Sequence, residues 1–357
     1  LFMIPAFILM AAVIFIPKVL IHKITYLAYI IILIGITLPF LGSQTAGTYR
    51  WIHIGSFNFQ PSEFAKWITV LALARYLSDH KLLVTRFSIV IIPIFIITIP
   101  MVIILKQPDL GTAVVMLTPL FPMLYWVGAR PYHLFLLLAP VMSVLTAFHI
   151  ISFVTWVGLM AVIIYLSRPG LLRGILVFFG NIFLGLLAPL IWNSLHAYQQ
   201  KRILTLFNPE LDPLGAAYQI IQSQTAIGSG GLLGKGWGQG TQTHLKFLPV
   251  QESDFILSVI GEEFGFVAIF IVLILFGVLI GRMIYKASRC PDRFTSLAII
   301  GIASIFLAHV FVNTAMTVGL IPVKGLPLPF ISYGGSFLVS CYIMIGLVIN
   351  MVTSRDD

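Results

Sequence analysis

Eleven largely apolar stretches, each 16 residues or longer, recur along this chain, and their length constrains the fold more than any other feature. They lie near residues 1–17, 25–41, 62–77, 88–105, 110–128, 131–150, 152–167, 172–195, 254–281, 294–318 and 332–352. A helix needs about 20 apolar residues to cross the hydrocarbon of a bilayer, whereas a barrel strand needs only about 10. With no water at that depth, each crossing segment must satisfy its own backbone, and helices do so within one segment. The expected fold is all-α: a polytopic transmembrane helical bundle of about ten or eleven spans. Charged residues make up only 9% of the chain, against about 25% in soluble domains. No internal repeat is apparent, and residues 1–357 read as a single integral membrane domain.

The net charge of +9 would invite a nucleic-acid reading if the basic residues were clustered. Instead they alternate between linkers. Lys18 and Lys23 share one, Lys81 and Arg86 another, followed by Arg130, by Arg168 with Arg173, and by Arg282, Lys286, Arg289 and Arg293, with Arg355 in the tail. The positive-inside rule makes these linkers cytoplasmic, so the charge is a topology signal and nucleic acid is not an expected partner. Leu1 would then lie outside, which implies a further hydrophobic helix upstream. Cys290 and Cys341 have no metal-like spacing, and no two of the eight histidines stand four apart.

The opposite linkers, 42–61, 105–109, 196–253 and 319–331, are the polar ones and face outward on this reading. The longest precedes the 254–281 span. Within it Tyr218, Ile221 and Thr225 alternate with Gln219, Gln222 and Ser223, a pattern expected of a short helix lying in the interface. Ionisable groups at or near membrane depth are functional candidates. Glu63, Asp109, Glu210, Asp212, Glu252 and Asp254 all fall at outer positions, with Arg50 and Lys66 near Glu63, Lys106 near Asp109, and Lys201 and Arg202 near the 210–212 pair. Ion pairing and helix capping are the plainer roles for such acids, and Asp109 is well placed to cap a helix starting at 110. Asp254 opens a long apolar span, with Ser258 and Glu262 at i+4 and i+8 forming one polar stripe. It is either an N-cap or a functional carboxylate, and Glu262 reads as a buried carboxylate neutralised by a neighbour. The glycine-rich run Gly228–Gly240 fits neither a G-x-G-x-x-G register nor a P-loop. It reads as a flexible linker or as a backbone nest for phosphate, with Lys235 as point charge.

Four segments, in this order and spacing, resemble the SEDS family of cell-wall polymerases, RodA and FtsW. They are Arg50-Trp51 leading to Phe59-Gln60-Pro61-Ser62-Glu63; Lys106-Gln107-Pro108-Asp109-Leu110-Gly111-Thr112; Ile227 to Gly231 continuing through Gly240-Thr241-Gln242 and Phe247-Leu248-Pro249 to Asp254-Phe255; and Pro327 to Ser336. The Gly-Thr-Gln stretch is most similar to the RodA branch. The resemblance implies glycosyl transfer on lipid II, the undecaprenyl-pyrophosphate-linked disaccharide pentapeptide, at the outer face of the cytoplasmic membrane, in cell elongation and rod shape. It assigns catalysis to Asp254 and substrate contacts to Arg50, Glu63, Lys66, Lys106, Asp109 and Lys235. It also implies a class B penicillin-binding protein as the transpeptidase partner. On this resemblance two departures from the family pattern are expected: the chain begins at the family's second span, and residues 131–195 offer three helices where one is usual.

One carboxylate suits this chemistry. A lipid pyrophosphate leaves without a general acid if its charge is stabilised, so a base on the acceptor hydroxyl and cations at the phosphates suffice. A divalent ion, Mg²⁺ or Mn²⁺, could share that work, although only scattered carboxylates are available to hold it. The alternative from another class is a lipid-precursor flippase or proton-coupled transporter, which interrupted helices and intramembrane acids would also suit.

Overall fold

In the computed structural model the described residues are 2–42, 48–55, 57–80, 88–195, 200–201, 203–205, 212, 215, 217–244 and 251–353. Arg202, Glu210, Lys81, Arg86 and Arg355 lie outside them. All eleven apolar stretches are helical. The elements are α1 (Met3–Ile14), α2 (Lys18–Gly35, followed by a 3₁₀ turn Leu38–Leu41), α3 (Pro61–Asp79), α4 (Ser88–Lys106), α5 (Leu110–Leu117), α6 (Leu120–Trp126), α7 (Pro131–Thr146), α8 (Ile150–Ser167), α9 (Leu171–Leu186) and α10 (Ala188–Ser194). Then come α11 (Tyr218–Gly230), α12 (Thr241–His244), α13 (Ile256–Ser288), α14 (Arg293–Thr317) and α15 (Gly335–Thr353). Among the described residues six helices are long and apolar enough to cross a membrane, and four apolar stretches are shorter. The chain is a multi-pass membrane protein. Proline explains two breaks, at Pro119 between α5 and α6 and at Pro189 in the first turn of α10, because it lacks the N–H that would continue the helix. The all-α expectation missed one small feature, an antiparallel hairpin of β1 (Ile52–Ile54) and β2 (Phe57–Phe59) that turns at Gly55, φ +61°.

The centre of the bundle is α14. Twenty of its 25 residues are buried, whereas α8 buries only Met160, so α14 is walled by protein and α8 faces lipid. Close approach permits this: a Cβ on Gly301 would meet Val70 Cγ1 of α3 at 2.3 Å. Helices α7, α8 and α9 pack mainly on one another around Ser143, whose hydroxyl accepts from Trp156 Nε1 (2.9 Å) and donates to Asn181 (3.3 Å).

The two classes of linker gather at opposite ends. At one end residues 48–55, 57–60, 107–109, 251–255 and 319–333 touch: Arg50 donates to the Pro108 carbonyl, and the Tyr333 N–H to the Glu252 carbonyl (2.8 Å). At the other end His22 pairs with Asp79 (2.9 Å), Arg75 donates to the Lys23 carbonyl (3.0 Å), and Asn350 to the Ile14 carbonyl (2.8 Å).

Helix α13 is broken at Gly265, φ +78°. A break at membrane depth strands backbone groups that only protein can satisfy. The glycine-rich run supplies the partners. Phe266 and Val267 donate N–H to the carbonyls of Gly231 (2.9 Å) and Leu232 (3.2 Å), while Glu262 and Glu263 carbonyls accept from Lys235 (3.0 Å) and Gly236 (2.9 Å). A Cβ at Gly234 would stand 2.2 Å from the Glu263 carbonyl oxygen, so only glycine allows this approach. The run is thus a strap docked on a kink, a role not among those expected from its composition.

Candidate active site

Asp254 precedes α13 without capping it. The helix starts at Ile256 after Phe255, and no side chain caps it. The carboxylate instead accepts from Ser253 Oγ (3.0 Å) and is half-buried. Its backbone is pinned on two sides. Asn313 of α14 donates to the Asp254 carbonyl (2.9 Å) and to the Leu326 carbonyl (2.8 Å), while the Ser332 hydroxyl donates to the Ser253 carbonyl. Gly325, φ +64°, lies against the carboxylate; a Cβ there would come within 3.3 Å of Asp254 Oδ2. The absent side chain leaves that face of the carboxylate uncovered.

Burial raises the Asp254 carboxyl above the ordinary aspartate range, while the Ser253 hydroxyl and the Arg50 guanidinium lower it part of the way back. Arg50 is therefore close enough to act on Asp254 electrostatically. It also pairs with Asp109, Nε to Oδ2 at 3.7 Å, too long for a hydrogen bond. Among the described residues its buried Nε has no hydrogen-bond partner. Asp109 itself is the N-cap of α5: its carboxylate accepts from the Thr112 N–H (3.1 Å) and hydroxyl (2.9 Å), with Gln60 Nε2 at 3.4 Å. The capping role read from the sequence holds. Asp109 pairs with Arg50, however, and not with Lys106, which is exposed at the end of α4.

Glu63 and Lys66 face inward. Proline at the first position of α3 and Glu63 in its first turn suit a helix start. Lys66 Nζ lies 2.6 Å from Glu63 Oε2 and 2.9 Å from His309 Nε2, and both Glu63 and Lys66 are buried. His309 Nδ1 in turn lies 3.1 Å from the Pro327 carbonyl. Among the described residues Glu63 therefore takes Lys66 as its cation, not Arg50. This network sits one helical turn from Asn313, so α14 ties both the buried pair and Asp254 to the 325–328 loop.

Lys235 belongs to a separate cluster. Its Nζ donates to Glu262 Oε1 (2.9 Å) and Thr241 Oγ1 (2.8 Å), and the Gln242 N–H also reaches Glu262 (2.9 Å). Glu262 is fully buried, as expected for a carboxylate with a neutralising neighbour. Ser258, the middle of the polar stripe, meets Ser223 Oγ of α11 at 2.7 Å. The stripe therefore docks α11 and the strap. α11 is an inward-packed helix here, with Ile220, Ser223 and Ala226 buried. In the other expected pair, Lys201 meets Asp212 at 2.9 Å. Sequence reasoning passed over His309, Asn313 and Gly325, although two polar residues four apart in an apolar span are a signal in their own right.

Among the described residues no three His, Cys, Asp or Glu side chains converge on a metal position. A divalent ion at this end would be held as Mg²⁺ often is, by one carboxylate together with substrate phosphates.

The model of the cell cycle protein family FtsW/RodA/SpoVE matches residues 1–170 and 152–357. The chain is 35% identical over 333 residues to the peptidoglycan glycosyltransferase MrdB of Escherichia coli K12, covering 92% of this chain and 78% of that protein. It is 35% identical over 321 residues to stage V sporulation protein E of Bacillus subtilis (90% and 75%). It is 33% identical over 358 residues to the peptidoglycan glycosyltransferase RodA of Treponema pallidum (90% and 80%). Among solved structures, a chain from a study of structural coordination of polymerization and crosslinking by a peptidoglycan synthase complex superposes with a TM-score of 0.74 at 26% identity. That match covers 99% of this chain and 88% of that one. The rod shape determining protein RodA of Thermus thermophilus shares the fold, with a TM-score of 0.63 at 24% identity, covering 98% and 84%.

Proposed function

Because this chain belongs to the FtsW/RodA/SpoVE family of cell cycle proteins, we propose that Asp254 is the general base of its sugar-joining reaction, with Arg50 the first cation at the leaving group. The chain is a peptidoglycan glycosyltransferase. Its substrate on this reading is lipid II, polymerised at the outer face of the cytoplasmic membrane. The observation that carries the assignment is the placing of Asp254: a half-buried carboxylate without capping duty, bordered by Gly325 and within the field of Arg50.

Asp254 takes the proton of the acceptor sugar hydroxyl as its oxygen attacks C1 of the donor. The bond from C1 to the lipid pyrophosphate breaks, and its electron pair leaves with the phosphate. A single displacement inverts C1, from α in the lipid-linked sugar to β in the glycan. The Arg50 donor left without a hydrogen-bond partner suits the charge that develops there. Lys106, exposed beside the Asp109 cap, is a second cation for the phosphates. The enclosed Glu63–Lys66–His309 network acts through the scaffold, holding the loop that borders Asp254. Crosslinking falls to a separate transpeptidase, of the penicillin-binding class. The matched synthase-complex chain supports that reading, and co-purification at native expression checks it.

The decisive test is Asp254→Asn. Asparagine keeps the size and can still accept from Ser253, so the protein should remain monodisperse. Polymerisation of labelled lipid II should fall by at least about 10²-fold, with lipid II binding retained. Near wild-type turnover in the purified variant would overturn the assignment.

A further inference from the structure

The end of the bundle opposite Asp254 carries a second built feature. A cavity of about 520 Å³, within the range of about 300–1,000 Å³ typical of ligand sites, is lined by Lys18, His22, Lys23, Asp79, Asp292 and Arg293. A second of about 380 Å³ shares Lys18 and Asp292 and adds Lys286 and Arg289. Among the described residues five lysines and arginines line the two cavities beside two carboxylates, and both carboxylates have other duties. Asp79 pairs with His22 (2.9 Å) and Arg75 (3.5 Å). Asp292 caps α14, accepting from the Thr295 N–H (3.0 Å) and hydroxyl. Between them, α2 starts without a side-chain cap and without an acidic residue in its first turn, so its dipole adds to the positive field.

The surroundings specify the rest of the ligand. The cavities carry exposed apolar surface at Val19 of α2 and Tyr285 of α13, and the same helices expose Leu20, Ile24 and Ile284. An anion with no apolar part would leave that border unused. We propose that this twin cavity binds the phosphate headgroup of an anionic membrane lipid, its acyl chains lying along α2 and α13. The site is distinct from the catalytic one, since α13 starts two residues after Asp254 and only its last turn, at Tyr285 and Lys286, lines the second cavity. Bound there, the lipid joins the ends of α2, α13 and α14, which carry the bundle's centre.

The test uses the full chain purified in neutral detergent, titrated with short-chain phosphatidylglycerol and followed by native mass spectrometry. Phosphatidylglycerol should be retained, and phosphatidylcholine of the same chain length should not. Lys18→Gln with Arg293→Gln should weaken retention by about five-fold for each charge removed. Inorganic phosphate should bind far more weakly than the lipid. Equal retention of the two lipids, unchanged retention in the variant, or phosphate binding as tightly as phosphatidylglycerol would each overturn the proposal. If the double variant does not fold, the unaltered chain still decides. Its retention of phosphatidylglycerol must weaken as salt rises, and salt-independent retention counts against a headgroup site.

Discussion

A base must be deprotonated to act, and burial holds the Asp254 carboxyl above its ordinary range. Turnover should therefore rise with pH through a value higher than that of a solvated aspartate. Arg50 favours the carboxylate form, so Arg50→Gln should move this acid limb to still higher pH while lowering the plateau. Arg50→Lys should move it less. Initial rates of lipid II polymerisation across pH measure this, and an acid limb unmoved in Arg50→Gln would separate Arg50 from Asp254. Asp254 and Asp109 were legible in the sequence because each stands at the edge of an apolar run, where a charge has few plain explanations; Arg50, midway along the 42–61 linker, was legible through the family resemblance. Lys66 was legible as a candidate but not as an enclosed one. Its partner His309 comes from 243 residues away, and no local pattern announces that contact. Gly325 was hidden for the same reason: its value lies in what its missing side chain would cover.

The broken helix α13 and its glycine strap act as one element, stitched by backbone bonds and by Lys235 with Glu262. Hydrophobic periodicity located the span but could not reveal the break, because Gly265 alone in an apolar run has many uses. The strap's composition was equally ambiguous, since glycines serve mobility and close packing alike. Lys235→Met should leave the buried Glu262 carboxylate uncompensated, a loss of about 3 kcal/mol or more. Adding Glu262→Gln should recover most of that stability and, with it, most of the polymerisation. Thermal unfolding in detergent and turnover of the four proteins of the cycle measure both. A double variant that regains stability but stays inactive would instead return Lys235 to the substrate.

At the scale of the whole molecule, the alternation of basic and polar linkers anticipated which loops meet. Residues 18–23, 78–80 and 289–294 converge at one end, and 48–55, 57–60, 107–109, 251–255 and 319–333 at the other. The order of spans dictates that partition, because every crossing reverses the chain, and charge then orients it. What the sequence left open was the central place of α14, since its apolar composition matches that of spans facing lipid. The orientation itself can be tested. His53 in the β1–β2 hairpin and Lys23 at the start of α2 are both exposed and lie at opposite ends. Each is replaced by cysteine in a chain whose half-buried Cys290 is changed to serine; Cys341 is buried and can stay. A membrane-impermeant maleimide added to intact cells with an opened outer barrier should label position 53 and spare position 23. Labelling at 23 should appear only once the cytoplasmic membrane is permeabilised. The reverse pattern would turn the molecule over, put Asp254 on the inner side, and remove it from any role in building glycan outside the cell.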